Sequence, residues 1–229
     1  MSLLRLTLIG VQAVCNQMAF TPPNPSVAQT VIRFHTEEPY FLQIAPFISR
    51  VHMQGVYIIA VCEALYYLFS LGPLRSTGLS ICLASEPHIQ ITLLFCIGWT
   101  AVIVGTYIRL ACFRTLKEFF TFDLTIHPEH KLITNGFYSY VRHPAYTGSL
   151  LITAGLSLSH LSRGNWATEC GPLMVPFSGV MIGMLWFLWT LAVGLSRVDA
   201  EDKQMRKMFP QEFDAWAARV PWWFLPGLI

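Results

Sequence analysis

Two groups of residues in this chain have the types and spacing for chemistry. The first is the stretch 130–148, HKLITNGFYSYVRHPAYTG, which gathers three tyrosines, two histidines and Arg142 into one short connector. Asn135-Gly136 signals a turn, with Gly136 free to take a positive φ. Pro144 interrupts the backbone just after Arg142 and His143, and Gly148 permits close packing where the next apolar run begins. The connector therefore reads as folded. The second group is Arg197 and Glu201, four residues apart and so on one helical face. They follow directly on the last apolar run, where water is scarce and an idle charge is costly. A planar guanidinium in that setting suits a carboxylate, which it can grip through two oxygens.

Plainer readings stand beside these. The connector also fits a membrane-interface loop with a tyrosine belt and satisfied histidines, and the Arg197–Glu201 spacing fits an exposed i,i+4 pair worth a few tenths of a kcal/mol. Other chemistries lack support. There is no GxGxxG after a strand, no Walker loop and no HExxH. His127 and His130 have HxxH spacing, but Pro128 between them opposes a regular helical face, and no further metal ligand is evident. No serine or cysteine nucleophile stands near a base.

Apolar segments must position these groups. The chain has 229 residues, 54% hydrophobic and 12% charged, with mean hydropathy +0.49. Soluble domains carry about a quarter charged residues, so the composition points to an integral membrane protein. The net charge of +2 does not suggest nucleic acid. The expected fold is all-α, with about five transmembrane helices over Leu3–Phe20, Val51–Leu71, Ile91–Cys112, Tyr146–Leu161 and Pro172–Ser196. Leu3–Phe20 lacks a small-x-small cleavage site after it and is expected to be a retained helix. Arg109, near the end of its span, is expected to snorkel. The six cysteines, Cys15, Cys62, Cys82, Cys96, Cys112 and Cys170, show no CxxC or metal-type spacing and read as reduced residues, not a disulfide framework.

Five spans place segments 21–50, 113–145 and 197–229 on one side. There lie Arg33, Arg50, Arg114, Lys117, Lys131, Arg142, Arg197, Lys203, Arg206, Lys207 and Arg219, against Arg5, Arg75 and Arg163 on the other. Positive charge marks the cytosolic face, so connector and tail are expected to be cytosolic. The tail, Arg197 to Arg219, reads as an amphipathic helix pair on the membrane surface, with Pro210 opening a new turn. The ending Pro221-Trp222-Trp223-Phe224-Leu225-Pro226 fits interfacial anchoring by tryptophan. No repeat or second domain is visible, so 1–229 is taken as one domain, with spans in 1–112 and the chemistry in 113–229.

The combined pattern resembles the isoprenylcysteine carboxyl methyltransferases over roughly 113–226. The residues that carry it are His130, Leu132, Ile133, Thr134, Gly136, Tyr138, Arg142, His143, Pro144, Tyr146 and Gly148, then Arg197, Glu201, Phe209, Glu212, Phe213, Val220 and Pro221. The resemblance implies an S-adenosyl-L-methionine pocket facing the cytosol. Its cofactor-binding positions fall on His130, Lys131, Leu132, Ile133, Tyr138, His143, Pro144, Ala145, Tyr146 and Glu201, with a further contact near Asp123. Arg197 and Glu201 fall on the catalytic positions, Arg197 toward the substrate carboxylate. The implied reaction is methyl transfer to the C-terminal carboxylate of a prenylated cysteine, in the endoplasmic reticulum membrane. A carboxylate with pKa near 3.5 is already ionised at neutral pH and needs no general base. Aromatic faces such as Tyr138 and Tyr146 suit adenine or a sulfonium. Relatives often carry a run of glutamates where this chain has Asp199-Ala200-Glu201-Asp202, and longer relatives have more N-terminal spans. Parts of the pattern are shared with phospholipid methyltransferases. A lipid methyltransferase, or a non-catalytic membrane protein keeping the fold, are the alternatives.

Overall fold

The computed structural model describes residues 2–24, 32–33, 45–71, 82, 84, 87–122, 125–126 and 129–228. In chain order the elements are α1 (Leu3–Phe20), β1 (Ile32–Arg33), α2 (Ala45–Ser70), α3 (Leu93–Leu116), a 3-10 turn at Lys117–Phe119, β2 (Thr125–Ile126), a 3-10 turn at Gly136–Ser139, α4 (Pro144–His160), α5 (Trp166–Glu169), α6 (Ser178–Met208) and α7 (Pro210–Arg219). The fold is helical, and β1 and β2 form only a two-residue antiparallel pairing. Among the described residues four stretches are long and apolar enough to cross a membrane: Leu3–Phe20, Arg50–Ser70, Leu93–Phe119 and Ser178–Met208. Their outer sides present Ile58, Val61, Val104, Leu185 and Leu188 to the surroundings. This is the surface of an integral membrane protein. The expected fifth span, α4, has 17 residues, the short end of the spanning range.

Helices α3 and α4 form the tightest pair, and glycine is the reason. A Cβ on Gly98 would lie 2.4 Å from the Gly155 carbonyl oxygen, and one on Gly105 would lie 2.6 Å from that of Gly148. The two glycines on each helix are seven residues apart, so both contacts fall on one face and the backbones approach closely. Gly148 thereby sets the height of α4's first turn, which carries Tyr146. Gly105→Ala is expected to lower stability by about 1–3 kcal/mol through overpacking. Gly10→Ala, with nothing within 4 Å of its Cβ position, is expected to cost nothing. Thermal unfolding of the detergent-solubilised variants measures both.

The helices alternate in direction, so the bundle has two distinct ends. At one end, Arg5 of α1 is fully buried and forms a two-pronged ion pair with Glu63 of α2, at 2.9 and 3.0 Å. Its remaining donors reach the Gln90 carbonyl at 2.7 Å and the Asn165 side chain. Glu63, a carboxylate inside an apolar span, thus has its counter-charge in another helix, and α1 is built into the bundle by the same contact. Near this end Cys82 and Cys170 form a disulfide. That corrects the expectation of six reduced cysteines. Both lie in connectors outside the helices, where two distant stretches meet. Cys15, Cys62, Cys96 and Cys112, inside helices, are free.

At the other end Arg109 is 6% exposed and does not snorkel. Three acceptors hold it inside: the Ala19 carbonyl at the end of α1 (2.7 Å), the Ala145 carbonyl of α4 (3.2 Å) and the Ser149 hydroxyl. Phe20, Phe113 and Phe122 surround the guanidinium. One arginine thus satisfies an orphan carbonyl at the C-terminus of α1 and ties three helices together beneath the connector.

Candidate active site

The last apolar helix does not stop at the membrane boundary. α6 continues unbroken to Met208, so Arg197 and Glu201 stand on the same rigid rod as the apolar residues before them. Pro210 then opens α7, as its fixed φ and missing N–H favour. The expected amphipathic tail is present, but its apolar side turns inward. Val198, Phe213, Trp216 and Val220 are buried, the last three packed with Cys112, Phe113, Phe120, Tyr138 and Ala145. The terminal aromatics are also tied to the connector, with Trp222 and Trp223 half-buried. The Trp222 and Trp223 carbonyls accept hydrogen bonds from the backbone N–H groups of Arg142 and His143 at 2.8 and 2.9 Å. Thr147 donates to the Phe224 carbonyl at 2.7 Å, and the Phe224 ring is buried. The tail is a strap laid over the connector, because the connector's N–H groups need partners and the strap's carbonyls supply them.

The connector itself follows its sequence signals. Gly136 takes φ +62°, Asn135 precedes the 3-10 turn and Pro144 is at the start of α4. Tyr138 is buried, and its carbonyl accepts from the Trp216 indole at 3.1 Å. Burial, with Cys112 beside it, pushes the Tyr138 phenol well above its ordinary pKa, so it remains a neutral hydroxyl.

Connector, tail and α6 enclose a cavity of about 720 Å³, within the range of small-molecule sites. Of the residues expected to bind a cofactor, His130, Lys131, Leu132, Ile133, Tyr138, His143, Ala145, Tyr146 and Glu201 line it, as does Arg197. Pro144 does not; it begins α4 behind the wall. Asp123 and His127 lie outside the described residues. Among the described residues no group of three or more His, Cys, Asp or Glu is placed to hold a metal ion.

Arg197 and Glu201 share the cavity face but do not pair with each other. Glu201 accepts from the Tyr146 hydroxyl at 2.6 Å and lies 3.2 Å from His143 Nδ1. Arg197 donates from Nη1 to the Phe122 carbonyl at 2.8 Å, and its Nε is buried without a hydrogen-bond partner. The sequence reading left out Asp202 as a site residue. It accepts from Arg142 Nε at 3.1 Å, His143 Nε2 at 2.7 Å and Trp223 Nε1 at 3.0 Å, joining α6, connector and strap. Its only sequence signal is its place in the acidic run after Arg197.

Burial opposes a charge on His143, but hydrogen bonds to Asp202 and Glu201 outweigh it and raise its pKa to about 9. The ring is therefore an imidazolium at neutral pH, held between two carboxylates. The charged form is favoured by folding, so its stabilisation is complete below the ordinary histidine value near 6.5 and is lost as pH rises through about 9. Thermal midpoints measured between pH 6 and 10 are expected to fall more steeply at the alkaline end for the native protein than for His143→Gln.

These features define the class first: a polytopic helical membrane protein whose pocket has a mostly apolar, aromatic lining set with charged side chains. Residues 96–207, just under half of the chain, match the model of the isoprenylcysteine carboxyl methyltransferase (ICMT) family. It is 32% identical over 127 residues to a "Probable protein-S-isoprenylcysteine O-methyltransferase" of Oryza sativa subsp. indica, covering 54% of this chain and 57% of the relative. It is 27% identical over 126 residues to "Protein-S-isoprenylcysteine O-methyltransferase B" of Arabidopsis thaliana, covering 54% and 55%. The chain thus spans little more than half the length of these relatives. No solved structure matches it.

Proposed function

We propose that this protein methylates the C-terminal carboxylate of prenylated cysteine, using S-adenosylmethionine. The observation that carries the reading is one cavity that offers a guanidinium donor without a partner, Arg197 Nε, and whose lining is otherwise mostly apolar. An acceptor that is anionic at one end and hydrocarbon behind it matches both features.

The cavity also fits the cofactor. Tyr138 and Tyr146 supply aromatic surface, and Glu201 supplies negative charge suited to a cationic or hydroxyl-bearing ligand. His130, Lys131, Leu132, Ile133, His143 and Ala145 complete the walls, with Pro144 fixing the turn that presents them. S-adenosylmethionine, when bound, supplies an electrophilic methyl group on a sulfonium. The protein's part is then alignment and exclusion of water. Arg197 holds the acceptor carboxylate and fixes its orientation. Glu201 holds the Tyr146 hydroxyl and balances His143. No residue has to remove a proton, because a carboxyl of pKa near 3.5 arrives ionised.

In this reading the pocket faces the cytosol and the protein sits in the endoplasmic reticulum membrane. Two features support this orientation. Eleven of fifteen Lys and Arg fall in segments at the pocket end. The Cys82–Cys170 disulfide is near the opposite end, as expected if that end faces an oxidising lumen. The orientation also requires α4 to cross the bilayer as a fifth span.

Purified protein incubated with labelled S-adenosylmethionine and a farnesylcysteine analogue is expected to yield a base-labile methyl ester. A parallel incubation with an amine phospholipid is expected to yield nothing, since Arg197 repels a cationic headgroup. Labelled lipid with unlabelled prenylcysteine would reverse the assignment, and label in neither would leave a non-catalytic membrane protein.

A further inference from the structure

From Cys170 to Ser196 the chain has no Asp, Glu, Lys, Arg or His, yet the first part of this run is not an apolar helix. Helix α6 begins only at Ser178, and 172–177 (PLMVPF) is a loop of apolar residues at the disulfide end of the bundle. Most of its side chains are on the surface. Met174 is 44% exposed, Val175 66% and Phe177 76%, and Pro172 and Pro176 are exposed as well. The loop is nevertheless firmly built. It follows closely on the Cys82–Cys170 disulfide. The Leu173 N–H donates to the Ala167 carbonyl at 2.9 Å. The Ser178 hydroxyl lies 3.1 and 2.7 Å from the Leu173 and Val175 carbonyl oxygens. Phe177 takes φ +65°, a left-handed conformation that a bulky side chain rarely adopts. The fold thus holds an aromatic ring at the surface on a strained backbone, the kind of outlier that accompanies function.

We propose that loop 172–177 is a wedge seated in the lipid leaflet at the disulfide end, and that its partner is the boundary between headgroups and acyl chains. The patch is continuous with the lipid-facing side of α6, where Val180, Met181 and Met184 are exposed. Its height agrees with this seat. Phe177 and Arg197 are twenty residues apart, about 30 Å of helix, which is the thickness of a bilayer's hydrocarbon core. With Arg197 at one boundary, Phe177 falls at the other. The backbone fixes the depth. Pro172 and Pro176 have no N–H to satisfy, and the N–H groups of Leu173 and Ser178 are bonded within the protein. Those of Met174, Val175 and Phe177 have no partner among the described residues. They require headgroups or water and exclude the hydrocarbon core. The backbone therefore stays at headgroup level while the apolar side chains enter the top of the acyl layer, as interfacial segments do. The wedge follows from the membrane fold alone and does not depend on methyl transfer.

The test uses the purified full chain in phosphatidylcholine nanodiscs, where both faces of the bilayer are open to reagents. A membrane-impermeant maleimide is expected to label Arg163→Cys, an exposed position earlier in the same connector. Val175→Cys is expected to react at least about tenfold more slowly, since lipid excludes the reagent and disfavours the reactive thiolate. The native protein, with its own free cysteines, sets the background. A second measurement needs no variant. Phosphatidylcholine carrying a photoreactive group near the top of its acyl chain is irradiated with the native protein, and the adducts are mapped by mass spectrometry. They are expected on 172–177 as well as on the outer side of α6. Equal labelling of the two cysteine variants overturns the proposal, because a loop in water and a loop kept for a protein partner would both react freely in the purified protein. Where Val175→Cys fails to fold or exchanges with the disulfide, the lipid adducts decide. Their absence from 172–177 while α6 is modified overturns the wedge.

Discussion

Replacing Arg197 by alanine is expected to lower kcat/KM for a prenylcysteine by at least about thirtyfold while S-adenosylhomocysteine binding stays within about threefold. The expectation starts from the state of the guanidinium before any acceptor arrives. Its Nη1 is engaged by the Phe122 carbonyl, which holds the plane of the group. Its Nε is buried without a partner, and a buried donor left unsatisfied costs about 1–3 kcal/mol. An incoming carboxylate relieves that cost and adds a charge-assisted bond. Truncating one side of such a pair costs about 2–5 kcal/mol, or roughly 30-fold to several thousandfold. Cofactor affinity is expected to hold because the connector walls and Glu201 remain. Arg197→Lys should recover little, since a point charge on a flexible stem lacks the fork that both the Phe122 carbonyl and the acceptor use. Equal turnover by native protein and Arg197→Ala would remove Arg197 from the mechanism.

The same arginine shows what could be read from the chain unaided. Spacing alone put Arg197 and Glu201 on one face, because helical periodicity is a local property. Gly136 and Pro144 were legible for the same reason: each imposes its backbone preference wherever it stands. Length and hydropathy located the long apolar helices. Hydropathy marked the end of the apolar run, not the end of the helix. Asp199, Glu201, Asp202 and Lys203 end the apolar run, yet they do not end the helix, which continues to Met208. Helix formation and lipid solubility are separate properties, and α6 satisfies the first well past the second.

What stayed hidden was contact between distant segments. Arg5 and Glu63 are 58 residues apart, and Cys82 and Cys170 are separated by 88. No period links either pair; only the antiparallel course of the helices brings them to one end. The terminal Trp-Trp-Phe run was legible as amphipathic aromatics, but not its backbone hydrogen bonding to Arg142 and His143, which leaves no trace in composition. Asp202 was overlooked as one acid in a run of acids.

Asp202→Ala is expected to be among the most damaging single changes to the site. This carboxylate collects three donors from two other segments: Arg142 and His143 of the connector and Trp223 of the strap. The Arg142 and Asp202 side chains are only 11% and 16% exposed. Removing one partner from a largely buried pair leaves the other charge uncompensated, at a cost of about 3–5 kcal/mol. Here two cations are left, and the strap loses its indole contact as well. The expected result is a clear fall in thermal midpoint together with loss of S-adenosylhomocysteine affinity, because His143, Phe213 and Trp216 line the cavity proposed to hold the cofactor. Asp202→Asn keeps an acceptor but removes the charge, so His143 should titrate nearer its ordinary value and the alkaline loss of stability should begin at lower pH. Asp214→Ala is the matched control. It breaks the Arg206–Asp214 pair, whose side chains are 59% and 60% exposed, and pairs of that kind contribute about 0–1 kcal/mol. If Asp202→Ala proved as mild as Asp214→Ala in both measurements, the strap would not be fastened through Asp202, and the coupling between tail and connector would have to reside in the hydrogen bonds of Trp216, Val220, Trp222, Trp223 and Phe224 and in the packing of α7.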